Sequence, residues 1–481
     1  MSYQVLKGTH DVILDEAFSY SYIESLLAMF AETCGFKEFR VPVIEKSDLF
    51  TRAVGQGSDV VRKEMYTFLD KGNRSVTLRP EFTAGIIRSM VNAKLFAQQD
   101  FPIKGFYYGP VFRYERPQLG RYRQFNQFGV ESVGSDSYFR DVEVILFGYH
   151  GLQFLGLNNV VLKVNSLGDE ESRTNYRNAL IEYFSKHIDE MCSDCKERLN
   201  VNPLRILDCK VEEDRKIIEN APKIDDYLSE ASKKRFKAIC DTLDFMEVKY
   251  EVDHSLVRGL DYYSETVFEY HYTSSTGNNY GAVGGGGHYS NLVKEIGGPA
   301  LPGVGLSFGV ERLFSILKDD NKLPEKPALD AYVMPVTKND LTVRNVLTIT
   351  DILRTHGFKV EVNLEGNSFS SMFKKAEKKN ALLAVIIGDD EIDKDMVKVK
   401  DLLTREEVEL SLGELIPFME DYLSARAHKH EHDHECSCGH HHHHDHDCEC
   451  GCDGDCDCDC ENGEYECDGE SCCCGHHHHE A

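Results

Sequence analysis

Charged and polar side chains recur at alternate positions in three short stretches of this 481-residue chain. The pairs are Glu81 with Thr83, Arg113 with Glu115, and Gln127 with Glu131. Because side chains alternate along an extended strand, each pair is expected to share one face of a sheet. A solvated outer face would explain any single pair. Several pairs of both charge signs, close to many aromatic residues, fit a polar ligand pocket better.

Such a pocket suits a zwitterionic amino acid. Glu81 could accept hydrogen bonds from an ammonium group, and Arg113 could pair with carboxylate or phosphate oxygens through its planar guanidinium group. The loop arginines Arg116, Arg121 and Arg123 could reach further phosphates. The sequence contains no Gly-x-x-x-x-Gly-Lys-Ser/Thr motif. The phosphates of any bound nucleotide should therefore be held by arginines and not by a P-loop.

Two further segments are rich in glycine. Residues 256–269 contain Arg258 and are followed by four consecutive glycines at 284–287, inside an apparent strand. Glycine weakens a strand, so its presence suggests close approach of a ligand or another backbone, with a flexible surface loop as the alternative. Residues 305–314 indicate a glycine-bearing strand that enters a helix, where Arg312 could also be a solvated charge.

Together these segments resemble a known family. Pro42, Phe112-Arg-Tyr-Glu115 and Gly309-Val-Glu-Arg312 are similar to the three motifs of class II aminoacyl-tRNA synthetases. Over roughly residues 1–425 the chain resembles histidyl-tRNA synthetase specifically, through Arg79-Pro-Glu-Phe-Thr83, Gly120-Arg-Tyr-Arg-Gln-Phe125 and above all Leu256-Val-Arg-Gly-Leu-Asp-Tyr-Tyr263. The resemblance implies an α+β catalytic domain with an antiparallel sheet and flanking helices, a small α/β anticodon-binding domain, and a homodimer.

The resemblance also implies a histidine–tRNA ligase. L-histidine and ATP, with Mg²⁺, would form histidyl-adenylate and pyrophosphate, and the histidyl group would then move to the 3′ end of tRNA(His). The implied histidine-binding residues are Glu81, Thr83, Gln127, Glu131, Arg258, Tyr262 and Tyr263. The implied ATP-binding residues are Arg113, Glu115, Arg121, Arg123 and Arg312. Arg113 and Arg258, at the α-phosphate and the carboxylate, would be the catalytic residues.

The sequence departs from the family pattern at one motif and leaves two alternative functions open. The family usually has Arg-Tyr-Asp where this chain has His288-Tyr289-Ser290, so roles of the missing Arg and Asp are not implied. One alternative is the synthetase-like regulatory subunit of ATP phosphoribosyltransferase, which generally lacks the C-terminal domain and departs at the motif around Arg258. The other is a metal storage or delivery protein on a synthetase scaffold.

The second alternative arises from residues 427–481. This tail holds 12 of the 17 cysteines, 14 of the 21 histidines, and 16 acidic residues against one lysine. It is too polar to form a core and is predicted to be disordered. Its dense thiol and imidazole groups predict binding of Zn²⁺ or Ni²⁺, and a disulfide scaffold or a purification tag is less favoured. The candidate ligands are Cys436, Cys438, His440, His442, Cys448, Cys450, Cys452, Cys456, Cys458 and Cys460.

A smaller cysteine group lies within the chain. Cys192-x-x-Cys195 and Cys209 could supply three zinc ligands, but a tetrahedral structural site needs four, and no nearby histidine completes the set. Reduced surface thiols are therefore the favoured interpretation. These cysteines belong to a charged, helix-favouring insertion at about residues 167–248, for which the family resemblance implies contact with the tRNA acceptor end.

The remaining sequence predicts how these groups are positioned. Residues 1–325 should form the catalytic domain, beginning with an amphipathic helix over 15–34, in which Phe18, Tyr22, Leu26 and Phe30 recur at i+4 spacing with Ile23 and Leu27 beside them. Residues 328–425 alternate strands with helices, as expected of a small α/β domain. The chain has no apolar run of about 18 residues and no secretory signal pattern, which predicts a cytoplasmic protein that does not enter a membrane.

Overall fold

The computed structural model describes residues 3–55, 57–116, 120–325 and 328–435. By internal contacts the chain divides into two compact units, Met1–Lys326 and Pro327–Ala481. Within the described ranges, no helix has both the length and the apolar character required to span a membrane.

Strands of the first unit form two sheets. These strands are β1 (Lys37–Glu38), β2 (Ile44–Lys46), β3 (Tyr66–Leu69), β4 (Ser75–Leu78), β5 (Ile103–Phe112), β6 (Gln124–Val133), β7 (Val160–Ser166), β8 (Tyr250–Val252), β9 (Ser264–Thr273), β10 (Asn279–Tyr289) and β11 (Gly303–Gly309). The large sheet has the order β1-β5-β6-β11-β10-β9-β7-β8, and the small sheet has the order β2-β4-β3.

The large sheet is mixed, and in this respect it differs from the antiparallel sheet predicted above. Its six central strands, from β5 to β7, are antiparallel, whereas β1 and β8 pair in parallel with their neighbours at the two edges. These edge strands are only two and three residues long. Alternation over so few residues carries too little signal to reveal strand direction.

The α-helices of the first unit contribute to two main apolar cores and to the core of the insertion after β7. They are α1 (Leu14–Thr33), α2 (Ser47–Ala53), α3 (Thr83–Asn92), α4 (Tyr138–Phe154), α5 (Glu170–Ser185), α6 (Ser193–Val201), α7 (Glu212–Ile218), α8 (Glu230–Phe245), α9 (Leu292–Glu295) and α10 (Val310–Asp319). Helices α1, α4, α8 and α10 contribute to one apolar core, and α2, α3 and α9 contribute to another. The second core includes several of the tyrosines that line the candidate site.

Helix α1 is confirmed, and of the two neighbouring apolar rows noted in the sequence the structure buries the one that contains Ile23 and Leu27. Its fully buried stripe consists of Ile23, Leu27 and Ala31, whereas Tyr22 is exposed. The i+4 spacing identified the helix correctly. It could not decide between two adjacent apolar rows, because both rows contain aromatic or aliphatic residues.

Helices α5–α8 follow β7 and precede β8, and they form the charged segment noted in the sequence. Short 3₁₀ turns at Ile188–Glu190, Pro203–Asp208 and Ile224–Asp226 connect them. This segment has its own core, in which Tyr176, Leu180 and Phe184 of α5 pack with Cys195 and Ile206.

The second unit is a five-stranded sheet flanked by helices. Its strands are β12 (Leu329–Val336), β13 (Val360–Val362), β14 (Ala381–Gly388), β15 (Met396–Asp401) and β16 (Glu407–Ser411), in the order β13-β12-β14-β15-β16. Its helices are α11 (Asp340–Thr355), α12 (Phe369–Lys378), α13 (Asp389–Asp393) and α14 (Leu415–Glu435). The first three strands in this order are parallel and the rest antiparallel.

Helix α14 passes the boundary predicted for the start of the tail. It continues to Glu435, although disorder was predicted from residue 427. Residues 427–435 contain no glycine or proline that would end a helix. The ten candidate metal ligands in the tail, from Cys436 onward, lie outside the described residues.

Candidate active site

The carboxylate of Glu81 lies at the start of α3. Strand β4 ends at Leu78, before Pro80, so Glu81 lies in a turn and Thr83 is the first helical residue. The prediction that both residues share a strand face is therefore wrong, because Pro80 lacks the N–H that a continuing strand needs. Glu81 Oε1 instead accepts a hydrogen bond from the backbone N–H of Ala84 at 3.0 Å.

The other carboxylate oxygen of Glu81 is available to a ligand. Oε2 is buried and has no hydrogen-bond partner among the described residues. Burial raises the pKa of Glu81. An unsatisfied buried oxygen of this kind is costly unless a donor reaches it, and an ammonium group is a suitable donor.

Glu131 forms a second buried acidic centre, on β6. Its Oε1 accepts hydrogen bonds from Thr83 Oγ1 at 2.7 Å and from the Tyr107 hydroxyl at 3.1 Å, and its Oε2 accepts one from the Tyr289 hydroxyl at 2.8 Å. Burial raises the pKa of Glu131 to about 7, against the lowering effect of these donors. The structure thus brings together Thr83 and Glu131, which the sequence had assigned to one pocket.

A glycine on the adjacent strand makes room for the Glu131 carboxylate. Gly305 of β11 is the register partner of Glu131. A Cβ atom at Gly305 would overlap the carboxylate group. This close approach gives a specific reason for a glycine within a central strand.

We expect Gly305→Ala to lower the free energy of unfolding by about 1–3 kcal/mol, because Glu131 must leave its three hydrogen bonds or the strands must separate. Gly413→Ala is the matched control, since an added Cβ there meets no heavy atom within 4 Å. Urea denaturation followed by circular dichroism would measure both variants. Equal stability of the two variants would contradict the steric account.

Three other predicted residues line the same pocket. Tyr262 and Tyr263 are buried, with their ring centroids 4.6 Å apart, and Tyr262 meets the ring of Tyr289 edge to face at 5.9 Å. Gln127, also buried on β6, donates from Nε2 to Ser307 Oγ at 3.5 Å. The pocket is therefore aromatic, with acidic and amide groups at defined positions.

Arg258 extends along this pocket with only part of its guanidinium group paired. Its Nη1 donates to Glu269 Oε1 at 2.6 Å, and the guanidinium carbon lies 5.6 Å from the centre of the Tyr263 ring. Its buried Nε has no hydrogen-bond partner among the described residues. A Cβ at Gly285 would lie 2.9 Å from Arg258 Nη1, so the glycine run makes room for this arginine.

A cluster of arginines lies around the end of the β5–β6 hairpin. Arg113 Nη1 is 3.9 Å from Glu115 Oε1, and Arg121 Nη1 is 3.6 Å from Glu115 Oε2. Arg113 also donates from Nε to the carbonyl oxygen of Pro80 at 2.8 Å, which brings it next to the Glu81 turn. These contacts join Arg113, Glu115 and Arg121 into one group suited to anionic oxygens.

The two remaining predicted ATP-binding arginines have other contacts. Arg123 stacks on Tyr114 at 3.8 Å and donates to the carbonyl oxygens of Lys7 and Glu115, so the structure does not aim it at the same point as Arg121. Arg312 donates from Nη1 to the carbonyl oxygen of Ala282. Burial, followed by the charge of Arg121, lowers the pKa of Arg312, which places Arg312 near the cluster.

Three residues of the site were not among the predicted site residues. Tyr107 and Tyr289 both donate to Glu131, and Glu269 pairs with Arg258. Glu269 lies eleven residues after Arg258, close enough along the chain for the sequence to have suggested the pair. Tyr107 and Tyr289 come from different strands, and no sequence pattern placed their hydroxyls on one carboxylate.

His288, the departure noted in the sequence, is separate from the Glu131 cluster. It is buried, and its Nδ1 lies 3.0 Å from Asp141 Oδ1 and 3.3 Å from Arg235 Nη2. Arg235 of α8 also donates from Nη2 to Asp141 Oδ2 at 2.9 Å, and Thr266 donates to the same oxygen at 3.1 Å. Burial raises the pKa of Asp141, but His288 and Arg235 outweigh it and hold the pKa below its ordinary value.

We expect Asp141→Asn to lower the free energy of unfolding by about 3–5 kcal/mol, because it leaves Arg235 without the buried carboxylate with which it pairs. Asp136→Asn is the matched control. Asp136 pairs with the same Arg235 at 3.4 Å, but its side chain is 81% exposed. The control should change stability by less than about 1 kcal/mol. Urea denaturation would compare them, and similar losses would argue against the buried network.

The site therefore has an acidic and aromatic part and a basic part that meet at the Glu81 turn. The acidic part, with Glu81 and Glu131, suits a cationic or hydrogen-bond-donating ligand. The basic part, with Arg113 and Arg121, suits phosphate oxygens. Arg258 lies among the tyrosines of the acidic part. Such an arrangement can hold an amino acid and a nucleotide next to each other.

Comparisons with known proteins agree with this geometry. The family model described as histidyl-tRNA synthetase matches residues 8–313, and the model described as anticodon binding domain matches residues 330–422. The chain is 44% identical over 427 residues to histidine–tRNA ligase 1 of Shouchella clausii, which covers 88% of this chain and 99% of that protein. It is 41% identical over 424 residues to histidine–tRNA ligase of Bacillus subtilis, covering 87% of this chain and 99% of that protein.

A solved structure gives the same result. The crystal structure of apo histidyl-tRNA synthetase from S. aureus is similar with a TM-score of 0.73 and 34% identity, covering 87% of this chain and 100% of that one. The family match spans more than half of the chain, and the identities extend across nearly the whole length of the relatives. The chain therefore belongs to the histidyl-tRNA synthetase family of class II aminoacyl-tRNA synthetases, and its activity is that of a histidine–tRNA ligase.

Proposed function

We propose that the pocket around Glu81 and Glu131 binds histidine and that the adjacent arginine cluster binds ATP. The observation that carries this proposal is the buried oxygen of Glu81 that has no partner among the described residues, next to Pro80, whose carbonyl oxygen accepts a hydrogen bond from Arg113. Glu81 and Thr83 bind the α-amine, Gln127 lies near the backbone end, and Tyr262 lines the pocket. The imidazole lies between Glu131 and Tyr263.

Two arginines act on the reacting groups in this proposal. The histidine carboxylate attacks the α-phosphate of ATP, so two anions must approach each other, and fixed positive charge lowers that barrier. Arg258 contacts the carboxylate and Arg113 the α-phosphate. Arg121 and Arg123 bind the distal phosphates, for which Arg123 must release its present carbonyl contacts, and Arg312 covers the nucleotide.

The donor set is also suited to Mg²⁺. Mg²⁺ is usually bound through one or two carboxylates together with substrate phosphates, and Glu115 is the carboxylate within the arginine cluster. When bound, the ion neutralises charge on the phosphates. The chain's own contribution is to hold Glu115 between Arg113 and Arg121 and thereby orient the phosphate-binding side chains.

The role of Glu81 can be tested by titrating ligands into the full chain in a calorimeter. L-histidine should bind at least about 10-fold more weakly to Glu81→Gln, because a charge-assisted hydrogen bond is lost. The deamino analogue imidazole-propionate lacks the α-amine, so its affinity should be nearly the same for both proteins. Glu143→Gln, which removes a surface partner of Lys104, serves as the control. An equal loss for both ligands would contradict contact between Glu81 and the amine.

We also propose that the second unit binds tRNA(His) and that the protein is a homodimer in the cytoplasm. An exposed apolar face supports the dimer. Ile44 of β2 and Phe68 of β3 are 51% and 45% exposed, and their pairing with β4 places them on one side of the small sheet. Ile44 lies two residues after Pro42. Sedimentation equilibrium should give twice the chain mass. Ile44→Lys should shift the distribution toward monomer, and a monomeric unaltered protein would contradict the dimer.

The tail is proposed as a second functional element that binds Zn²⁺ or Ni²⁺ reversibly. Its support is the ligand density from Cys436 to Cys460. Titrating each metal into the full chain and into a chain that ends at Arg426 tests this directly. Several additional ions should bind to the full chain, and equal stoichiometry would contradict the proposal.

The two alternatives from the sequence are not favoured. The regulatory-subunit interpretation expected departure around Arg258 and no C-terminal domain, whereas Arg258 pairs with Glu269 and residues 330–422 match the anticodon-binding model. Metal storage as the main activity is also disfavoured, because the ligase family covers residues 8–313.

A further inference from the structure

The helical insertion brings together four potential metal ligands. One ligand atom from each of Cys192, Cys195, Cys209 and Asp214 lies within 4.8 Å of every other. Cys195, Cys209 and Asp214 are buried, and Cys192 is partly buried. The prediction of reduced surface thiols is therefore wrong about their location. The sequence offered no nearby histidine as a fourth ligand, whereas the fold brings an aspartate from α7 to the three thiols.

The distances resemble those of a tetrahedral zinc site. With Zn–S bonds of about 2.3 Å and Zn–O bonds of about 2.0 Å, tetrahedral geometry separates two sulfurs by about 3.8 Å and a sulfur from an oxygen by about 3.5 Å. Cys192 Sγ and Cys209 Sγ are 3.9 Å apart, and Cys209 Sγ is 3.2 Å from Asp214 Oδ2. A disulfide would need a sulfur separation of about 2.05 Å. The thiols are arranged around a common centre and not as a bonded pair.

The environment of Asp214 points to a cation. Its side chain is 1% exposed, and its Oδ1 accepts a hydrogen bond from the backbone N–H of Cys192 at 3.0 Å. Across the residues that the structure describes, no lysine, arginine or histidine forms an ion pair with it. A buried carboxylate without a positive partner is costly, and a metal ion would supply the missing charge.

We propose that Cys192, Cys195, Cys209 and Asp214 bind one Zn²⁺ ion as a structural site. On binding, each of the three thiols loses one proton to solvent and becomes a thiolate, while Asp214 binds through its carboxylate. No oxidation or reduction takes place. Three thiolates and one carboxylate give the Zn²⁺ complex a net charge of −2. Because the protein fills all four positions, the ion has no site for a reacting water molecule.

The zinc ion would fix a segment that supports the active site. It joins the start of α6 to the residues after the 3₁₀ turn Pro203–Asp208 and to α7. Between these ligands, Arg198 and Arg205 both pair with Asp59, at 3.1 and 2.8 Å. Arg205 also donates to the carbonyl oxygen of Arg258 at 3.4 Å. The metal would thus hold in place Arg205, which contacts the Arg258 loop, and Arg198, which shares Asp59 with it.

The test must separate this site from the metal-binding groups of the tail. A chain that ends at Arg426 has the length of complete relatives, since 424 aligned residues span 99% of the Bacillus subtilis protein, and the solved S. aureus structure is covered completely. This shorter chain is therefore expected to fold. It would be expressed with added Zn²⁺, passed over a chelating resin and analysed for zinc by mass spectrometry, together with the full chain.

We expect about one tightly bound Zn²⁺ per shorter chain, and less than about one-fifth of that in Cys195→Ala and in Asp214→Ala. Cys240→Ala is the matched control, because Cys240 is a free thiol outside the cluster. The full chain should lose about one ion when Cys195 is replaced. After exchange with Co²⁺, the shorter chain should show thiolate charge-transfer absorption, which Cys195→Ala lacks.

A shorter chain that retains no zinc and shows no Co²⁺–thiolate absorption would overturn the proposal. A Cys192–Cys209 disulfide, seen as a mass lower by two hydrogens in the native protein, would also overturn it. If a variant fails to fold, the metal content of the unaltered shorter chain still decides the question. Removing zinc with a strong chelator should also increase proteolysis within residues 186–211, and unchanged proteolysis would contradict a structural role. None of these results depends on tRNA charging.

Discussion

Arg258→Ala is expected to reduce histidine-dependent exchange of labelled pyrophosphate into ATP by about 10²–10³-fold, the loss typical when one fixed charge-stabilising donor is removed. Arg258 has a partly unpaired guanidinium group among the tyrosines of the pocket, with one nitrogen held by Glu269. It is therefore positioned before substrate arrives. Its loss should act mainly on kcat, because repulsion between two anions is greatest as they react.

A conservative variant and a control variant test whether this loss comes from the guanidinium group of Arg258. Arg258→Lys should recover only part of the rate, because an ammonium group cannot bridge Glu269 and a substrate carboxylate through a planar fork. Arg140→Ala removes a surface arginine that pairs with Glu143, and it should stay within about 2-fold of the unaltered protein. An Arg258→Ala enzyme that keeps its kcat would rule out the proposed catalytic role.

Glu131→Gln should produce the second large loss, about 10²-fold in kcat/KM for histidine at pH 8. A site that recognises a substrate through hydrogen bonds loses much of its kcat/KM when one of these bonds can no longer form. Burial raises the pKa of Glu131 to about 7. Its ionised fraction therefore rises from about one-tenth at pH 6 to about nine-tenths at pH 8. The ratio of kcat/KM between unaltered protein and variant should rise about 9-fold across this range. Titration of histidine itself cancels in the ratio.

The same shift has a defined effect on stability. Between the ordinary glutamate pKa and about 7, the folded state holds a proton that the unfolded state has released, so stability falls as the pH rises through this window. Glu131→Gln removes that dependence of stability on pH.

Tyr289→Phe removes one hydrogen bond to the Glu131 carboxylate and should move the midpoint of the kcat/KM ratio to higher pH. A ratio that is constant from pH 6 to 8 would contradict recognition through an ionised Glu131.

Local sequence signals predicted individual helices and strands better than they predicted how these elements pack and pair with one another. Helix α1 was evident from i+4 spacing. The inward row of α1 and the parallel edge pairs were not, because each is decided by a distant partner. Pro80 was an available local signal that Glu81 and Thr83 could not both lie on a strand.

The site was predicted as a set of residues but not as a geometry. Thr83 and Glu131 were both identified, yet their direct hydrogen bond depends on how α3 packs on β6. Tyr107 and Tyr289 were missed for the same reason, since each reaches Glu131 from another strand. Family resemblance implied the roles of the residues. Only the structure shows that a buried oxygen of Glu81 has no partner among the described residues and that the guanidinium group of Arg123 is already hydrogen-bonded to carbonyl oxygens.

The most direct test of the central claim is pyrophosphate exchange by the unaltered full chain. Labelled pyrophosphate, ATP, Mg²⁺ and one amino acid at a time would be incubated with the protein, and label entering ATP would be counted. We predict exchange that requires L-histidine and is absent with phenylalanine, because the phenylalanine ring offers no hydrogen-bond donor to Glu131. Absence of exchange by the folded protein, or equal exchange with phenylalanine, would contradict the assignment of this pocket to histidine activation.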